Sequence, residues 1–130
     1  MSFLQLRTKR KDTDLLFFPT VITNAATSIT DTSVTGNGNV VNAGGSNVTE
    51  RGFAYSTSPQ PTTADTKVTS GSGTGSYTAS LSPLIAGTLY HYRAYAINSI
   101  GTGYGDDVTF LTTGSASVVQ QLLTLLGIGS

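Results

Sequence analysis

Residues 82–98 read SPLIAGTLYHYRAYAIN, and this stretch decides the fold. From Leu89 onwards, tyrosines and alanines occupy every second position, while His91 and Arg93 lie between them. A period of two over nine residues is typical of a β-strand. Because the charged and titratable side chains share one face, we expect the other face to point into a core. The residues of that inward face are Tyr90, Tyr92, Ala94 and Ala96.

Further short runs of strand-forming residues lie before and after this stretch, each bounded by glycine, proline, asparagine or serine. Seven such runs at even spacing predict an antiparallel β-sandwich. Phe53 and Tyr55 share one face of the third run, VTERGFAYS, and we expect them in the core. Residues 71–75, GSGTG, are interpreted as a hairpin turn. The predicted strands lie at residues 20–29, 33–41, 48–56, 66–70, 76–81, within 82–98, and at 104–112.

The composition excludes several kinds of chemistry. The chain has 130 residues, of which 11% are charged, with no cysteine and one histidine. Disulfides, thiol catalysis and clustered cysteine or histidine metal sites are therefore excluded. We expect His91 to be an exposed side chain and residues 106–107, two aspartates, to form a solvated turn. We thus expect no enzyme activity, no metal and no cofactor.

The basic residues are concentrated near the start of the chain. Four of the seven lie within five positions, whereas all seven acidic residues follow them. We interpret residues 1–18 as a basic arm that ends in the apolar run 15–18. Such an arm can dock on an acidic protein surface, bind phosphates of a nucleic acid, or remain solvated without a role. Docking is favoured over nucleic acid because the rest of the chain is acidic. The four basic residues are Arg7, Lys9, Arg10 and Lys11.

The last part of the chain, residues 114–130, changes character. Apolar residues recur there at helical spacing, which predicts a short amphipathic helix. Three turns are marginal alone in water, so the helix is expected to dock, either on its own domain, on sister copies or on a partner's groove. Two features favour a contact outside the domain: the polar outer strand faces and the position of the helix at the end of the sequence. The seam residues are Val119, Leu122 and Leu126.

Residues 19–113 resemble a fibronectin type III-like domain, an immunoglobulin-like sandwich. The resemblance rests on residues 50–56 (ERGFAYS), 81–84 (LSPL), 87–90 (GTLY) and 93–98 (RAYAIN), and it is closest to the form found on bacterial surface proteins and in bacteriophage virion proteins. It implies that Tyr90, the tyrosine after the Gly-Thr turn, forms a tyrosine corner. The third strand has no tryptophan, so Phe53 or Tyr55 would fill that part of the core.

These observations lead us to expect a structural, non-enzymatic bacteriophage virion protein. The first residues lack the order of a secretory signal, and no apolar run is long enough to span a membrane. A virion protein is assembled in the host cytoplasm and needs no such signal. We expect a capsid decoration protein, or another head, neck or tail component, that binds other virion proteins and copies of itself. The alternative is an exported adhesive or carbohydrate-binding module at the cell surface.

Overall fold

The computed structural model describes residues 15–114, which form two antiparallel β-sheets. The basic residues at positions 7–11 and the helix expected over 114–130 lie outside the described residues, except for Gly114. Over the described range, no helix is long and apolar enough to cross a membrane. The strands are β1 (Thr20–Thr27), β2 (Val34–Asn42), β3 (Glu50–Ser56), β4 (Thr66–Thr69), β5 (Gly75–Leu81), β6 (Leu89–Ile97), β7 (Thr102–Tyr104) and β8 (Val108–Leu111).

The two sheets are built from strands that are distant in sequence. One sheet has the order β1-β2-β5, and the other has the order β4-β3-β6-β7, with β8 also paired to β6. β6 is the centre of the second sheet because β3 pairs along one of its edges and β7 and β8 share the other. The expected all-β, antiparallel sandwich is confirmed. The stretch at residues 82–98 supplies its central strand.

Two details of the prediction were wrong. The single strand expected over 104–112 is two strands, because the regular ladder to β6 is interrupted at residues 105–107, where only the Gly105 N–H still donates to the Ala94 carbonyl, at 2.8 Å. There Gly105 lies so close to β1 that an added Cβ would be 2.3 Å from Thr23 Oγ1. Residues 71–75 do not form a hairpin turn, because β4 and β5 lie in different sheets. They carry the chain across the sandwich, where Arg51 donates hydrogen bonds to the carbonyls of Gly73 and Thr74.

An aromatic layer fills the space between the sheets. Phe53 and Tyr92 come from one sheet and Tyr77 from the other, and the Phe53 ring centroid lies 5.0 Å from that of Tyr77 and 5.6 Å from that of Tyr92. Gly38 of β2 makes this spacing possible, since a Cβ there would lie 3.1 Å from the Phe53 ring. The core therefore depends on large rings facing glycines across the sandwich.

Side chains on both faces of β6 are buried. Tyr90, Tyr92 and the two alanines of the inward face are buried, and so is Tyr55 of β3. By the same alternation Tyr95 lies on the outer face with His91 and Arg93, yet its exposed fraction is 0%. It is buried because the lysine side chain of β4 covers it, with Lys67 Nζ 5.8 Å from the ring centroid. Alternation in sequence therefore located the face of Tyr95 but not its burial.

Tyr90 fastens the loop before β6 to the end of the sandwich. Its hydroxyl accepts a hydrogen bond of 2.9 Å from the backbone N–H of Ile85. Its ring stacks on that of Phe110 in β8, with the centroids 5.4 Å apart. This is the kind of contact that a tyrosine corner makes, in which a hydroxyl holds the backbone a few residues upstream.

Replacing Tyr90 with phenylalanine removes this acceptor and keeps the ring. We expect the free energy of unfolding to fall by about 0.5–1.5 kcal/mol, the usual net contribution of one hydrogen bond. Chemical denaturation of the wild-type and Tyr90→Phe chains measures the change. An unchanged midpoint at equal m-value would show that the hydroxyl does not hold the loop.

Candidate interaction surfaces

A short segment before β1, residues 15–19, is bound across one end of the sandwich, and we name it the strap. The backbone N–H of Phe17 donates to the Gly44 carbonyl at 2.9 Å. The buried side chain of Asn98 donates to the Phe17 carbonyl at 2.7 Å and to the Ala43 carbonyl at 2.8 Å. The strap is therefore fixed by its backbone, which leaves its side chains available for other contacts.

Two glycines allow this close approach. A Cβ at Gly44 would lie 2.3 Å from the Phe17 carbonyl oxygen, and one at Gly103 would lie 2.0 Å from that of Pro19. Gly44 also has a φ of 82°, which other residues rarely adopt. The loops at residues 43–46 and 98–101 are thus shaped to receive the strap, and together with it they form the strap pole.

The side chains of the strap point largely into solvent. Phe17 and Phe18 are 61% and 56% exposed, and Ile100 in the neighbouring loop is 43% exposed. Four consecutive large apolar residues exposed to solvent form the kind of patch that often serves in contacts with partners, so the strap is a candidate interaction surface. The sequence predicts residues 15–18 only as the end of the arm, because an apolar run at the edge of a domain is equally compatible with burial.

The opposite end of the sandwich contains an open groove of about 830 Å³. The loops at residues 29–33, 82–88 and 112–114 meet there, linked by the bonds from Leu84 N–H to the Thr32 carbonyl and from Gly87 N–H to the Thr113 carbonyl. We name this end the groove pole. β6 runs from one pole to the other, and its nine residues span about 30 Å. The groove is lined by Tyr55, Ala64, Asp65, Pro83, Ile85 and Tyr90, among others.

A polar cluster on the outer face of β6 holds the loop between β3 and β4. Asp107 contacts His91 Nδ1 at 2.9 Å and accepts a hydrogen bond of 2.8 Å from the Gln60 N–H. The Arg93 guanidinium lies 4.0 Å from the centroid of the Tyr104 ring and donates to the Pro61 carbonyl at 2.9 Å. The side chains of His91 and Asp107 are only 17% and 13% exposed. The expectations of an exposed histidine and of a solvated turn at Asp107 were therefore wrong.

Within the described residues, the contacts of this cluster hold the loop in place and leave no polar group directed at a ligand. Every partner of Arg93 and of Asp107 belongs to the loop or to the neighbouring strands, so the polar groups are occupied in fastening the loop. The sequence contains both parts of this contact: two outward polar residues on β6, His91 and Arg93, and a proline-containing loop between β3 and β4. The sequence does not predict that they meet, because the contact joins residues more than 30 positions apart. Within residues 15–114, no three metal-ligating side chains are grouped so that they could hold an ion.

A second polar group lies at the other edge of the same sheet. Glu50 accepts hydrogen bonds from Lys67 Nζ at 2.8 Å and from the Tyr95 hydroxyl at 2.6 Å. The hydrogen bonds from Lys67 and then from Tyr95 hold the pKa of Glu50 below its usual value of 4.5. Burial, with the nearby carboxylate, raises the pKa of Tyr95, which keeps its hydroxyl protonated as a donor.

The lowered pKa of Glu50 predicts a stability that depends on pH. A carboxyl whose pKa is lower in the folded state stabilises the fold above its unfolded pKa, and this contribution is lost as the pH falls through the folded pKa. We therefore expect Glu50→Gln to be less stable than wild type near neutral pH. The difference should shrink below about pH 4.5, the usual value for this group.

Denaturant midpoints of the two chains between pH 3 and pH 7 measure this difference. Asp106→Asn is a matched control, since it removes one exposed carboxylate near the opposite edge of the same sheet. If the difference in denaturant midpoint between wild type and Glu50→Gln stays constant or increases as the pH falls, the pKa of Glu50 is not lowered in the folded state.

The described charges are distributed unevenly between the two poles. The three cations are all bound internally: Arg51 to the Ser70 carbonyl, Lys67 to Glu50 and Arg93 to the Pro61 carbonyl. The loops of the strap pole, with the strap, carry no charged residue, whereas Asp31 lies at the groove pole and both Asp65 and Lys67 line the groove. The seven predicted interaction residues of the arm and the helix all lie outside the described residues. The four aromatics predicted for the core, Phe53, Tyr55, Tyr90 and Tyr92, are buried.

Comparison with known proteins agrees with the architecture. The sensor domain of the anti-sigma factor RsgI4 from Pseudobacteroides cellulosolvens aligns over 73% of this chain and 94% of its own, with a TM-score of 0.53 and 18% identity. A human fibronectin type III domain from the KIAA0970 protein aligns over 82% and 81%, with a TM-score of 0.54 and 13% identity. Titin domains A168–A170 align over 74% of this chain and 32% of theirs, with a TM-score of 0.52 and 19% identity. No protein-family model and no curated protein matches the sequence.

The class of domain follows from this likeness and from the strand order. The chain has a fibronectin type III-like fold, an immunoglobulin-like β-sandwich, and the fold expected from the sequence resemblance is confirmed. At these identities the likeness concerns the fold alone. The neighbours are sensor and structural domains, and a fold shared by proteins with such different roles does not indicate a function. The role of this chain must therefore be argued from its surfaces.

Proposed function

We propose that this protein is a structural, non-enzymatic component of a bacteriophage virion, and specifically a capsid decoration protein. The observation that carries the proposal is the strap. Four exposed apolar side chains are held on the sandwich by hydrogen bonds to the strap backbone, beginning four residues after the last basic residue of the arm. A surface of this kind costs little conformational entropy to bind, because its backbone is already ordered.

The arm and the strap would act together in attachment. Lys11 is four residues from Leu15, so the chain holds it within about 15 Å of the strap pole. An acidic surface with an apolar depression on a capsid or tail protein would match this combination. The three internally bound cations of the sandwich leave residues 7–11 as the basic region offered to a partner.

Purified virions of a phage that encodes the chain test the assignment. We expect mass spectrometry to find the protein in the particles in a fixed ratio to the major capsid protein, and gold-labelled antibodies to locate it on their surface. Recovery from the bacterial cell surface, with none in the particles, would overturn the proposal.

Attachment through the basic residues predicts a dependence on salt. Replacing Arg7, Lys9, Arg10 and Lys11 with serine should weaken binding to particles that lack the protein, and the wild type should weaken likewise as salt rises. The screening length falls from about 10 Å at 0.1 M to about 3 Å at 1 M ionic strength. Co-sedimentation at several salt concentrations measures this, with thermal melting as the check on folding. Binding that is equal in both chains and insensitive to salt would exclude electrostatic docking.

The alternative role, an exported adhesive or carbohydrate-binding module, would use the groove. Sugars commonly stack on exposed aromatic faces, but Tyr55 and Tyr90 are each only 7% exposed. The groove therefore offers edges and hydroxyl groups more than a ring platform. Binding of the isolated chain to a glycan array, together with recovery at the cell surface, would favour this alternative.

A further inference from the structure

The groove at the groove pole is lined mainly by residues that carry a hydroxyl group. A hydroxyl can both donate and accept a hydrogen bond, so such a lining matches a ligand whose own polar groups do both. The other residues of the lining are apolar or charged, and the two charged ones have opposite signs. The hydroxyl-bearing residues are Tyr55, Ser56, Thr57, Thr66, Ser82 and Tyr90.

Tyr55 lies in the groove wall with an unpaired hydroxyl. Its exposed fraction is 7%, and no hydrogen bond within residues 15–114 engages its hydroxyl. Every fully buried polar side-chain atom of the described chain has a partner, so the Tyr55 hydroxyl must reach the solvent in the groove. Burial, and then the nearby Tyr90, raises the pKa of Tyr55 above its usual value of 10.0. The hydroxyl therefore stays protonated and remains a donor.

Tyr90 places a second hydroxyl donor beside the first. The two rings meet edge to face, with the centroids of Tyr55 and Tyr90 6.4 Å apart. The Tyr90 hydroxyl accepts a hydrogen bond from the Ile85 N–H, and its own hydrogen has no acceptor within the described residues. Polar groups that are largely buried usually have a partner. The two donors are therefore free to bind acceptor atoms of a ligand.

Both walls of the groove are already fixed by hydrogen bonds. On one side the Thr112 hydroxyl donates to the Ile85 carbonyl at 2.7 Å. On the other side the Thr63 N–H donates to the Tyr104 hydroxyl at 3.0 Å, and Asp107 holds the same loop through its contact with Gln60. A ligand would thus enter a site whose shape exists beforehand, which reduces the conformational entropy lost on binding.

The charges of the groove favour a neutral ligand. Lys67 Nζ is bound to Glu50 at 2.8 Å, so the described lining offers no free cation to an anionic ligand. Asp65 Oδ2 accepts from the Thr62 N–H at 2.9 Å, and the remaining lone pairs of this carboxylate can accept from a ligand hydroxyl. Ile85 is 67% exposed and offers apolar surface to C–H groups of the ligand.

We propose that the groove binds a neutral polyhydroxylated ligand that presents neighbouring hydroxyl groups, as a free polyol or a pyranose sugar does. Tyr55 and Tyr90 donate to ligand oxygens, and Asp65 accepts from a ligand hydroxyl. The C–H groups of the ligand pack on Ile85. Recognition uses the hydroxyl groups at the edges of the two rings and requires no stacking on their faces. The inference concerns the groove alone, and it rests neither on attachment to a virion nor on export.

Titration of the full chain, followed by the NMR shifts of its backbone amides, tests the ligand class. The probes are myo-inositol as a free polyol and the methyl pyranosides of glucose, galactose and mannose. We expect at least one probe to bind with a dissociation constant of about 1–10 mM and to shift the amides of Tyr55, Asp65 and Ile85. Cyclohexanol, with one hydroxyl, and glucuronate, with an added carboxylate, should bind more weakly.

The two kinds of probe distinguish the source of the ligand. Binding of myo-inositol together with a pyranoside would show that a polyol suffices, whereas binding of a pyranoside alone would show that the groove recognises a sugar ring. The proposal would be overturned if neither kind shifts the groove amides at concentrations well above this range. Tighter binding of glucuronate than of methyl glucoside would overturn it as well.

Tyr55→Phe tests the unpaired hydroxyl, because it removes that group and keeps the ring. We expect the affinity for the best probe to fall about two- to tenfold, the effect of one lost hydrogen bond. The denaturant midpoint should not fall, since no internal hydrogen bond is lost. Thr69→Val is the control: it removes a hydroxyl from an exposed position of β4 outside the groove and should bind as wild type does.

Two results with Tyr55→Phe would contradict the assignment. Binding equal to that of wild type would show that the hydroxyl does not contact the ligand. A lower denaturant midpoint would show that the hydroxyl is bonded within the fold, and so is not available to a ligand.

Discussion

Replacing Phe53 with alanine is expected to lower the free energy of unfolding by about 3–5 kcal/mol, the range for truncating a large buried aromatic side chain. Phe53 has an exposed fraction of 0%, and its ring contacts Tyr77 of one sheet and Tyr92 of the other. The cavity would therefore open between the sheets, where glycines of β2 offer no side chain to fill it. Because small domains are stable by about 5–15 kcal/mol, this one change would remove much of the total.

Phe17→Ala is the matched control, since it removes the same ring from a site that is 61% exposed. We expect its stability to stay within about 0.5 kcal/mol of wild type, as for most surface substitutions. Urea denaturation of the three chains measures both effects. Equal stability of Phe53→Ala and Phe17→Ala would show that the aromatic layer does not hold the sheets together.

Asn98→Ala is expected to loosen the whole strap pole. The Asn98 side chain donates to the carbonyls of Phe17 and Ala43, and its Oδ1 accepts from the N–H groups of Ile100 and Gly101. Leaving a buried polar group unpaired costs about 1–3 kcal/mol, so we expect a total loss of about 2–4 kcal/mol. The strap should also separate from the sandwich more often.

Limited digestion with chymotrypsin measures that separation, because the bond after Phe17 can be cleaved only when the strap leaves its site. We expect faster cleavage in Asn98→Ala under conditions where the sandwich stays folded. Asn47→Ala is the control, as Asn47 is exposed in a loop near the same pole. If Asn98→Ala is cleaved at the wild-type rate, the asparagine does not hold the strap.

The sequence predicted the sandwich because its strongest signal is local. The period of two over residues 89–97 reflects the pleat itself, and the turn residues between strands follow from backbone conformation. The inward positions of Phe53, Tyr90 and Tyr92 follow from the same alternation. These features depend on neighbours one or two residues away, which the sequence displays directly.

The errors arose where distant segments meet. The division between β7 and β8 depends on the approach of Gly105 to Thr23 of β1, about 80 positions earlier in the chain. The glycine-rich link at residues 71–75 has the composition of a hairpin turn, and only the assignment of β4 and β5 to separate sheets shows its course. His91 is half-buried because a loop folds over it, and nothing beside it in sequence signals that loop.

The candidate surfaces were harder to predict than the fold. Residues 15–18 form an apolar run, and such runs are more often buried than displayed. Their exposure results from backbone contacts made by Asn98 and Gly44, which fix the chain and turn the side chains outward. The groove depends on loops from three parts of the chain. The basic arm was visible in the sequence, but the surface that continues it was not.

The position of the strap at one pole and of β8's end at the other also determines how the sandwich bears mechanical force. A pull applied through residue 15 and residue 114 acts along the strand axes, since β1 begins at the strap pole and β8 ends at the groove pole. The bonds between β1 and β2 and between β6 and β8 run across that axis. They are loaded in shear and must break together, so the domain resists tension applied between its two ends without opening strand by strand.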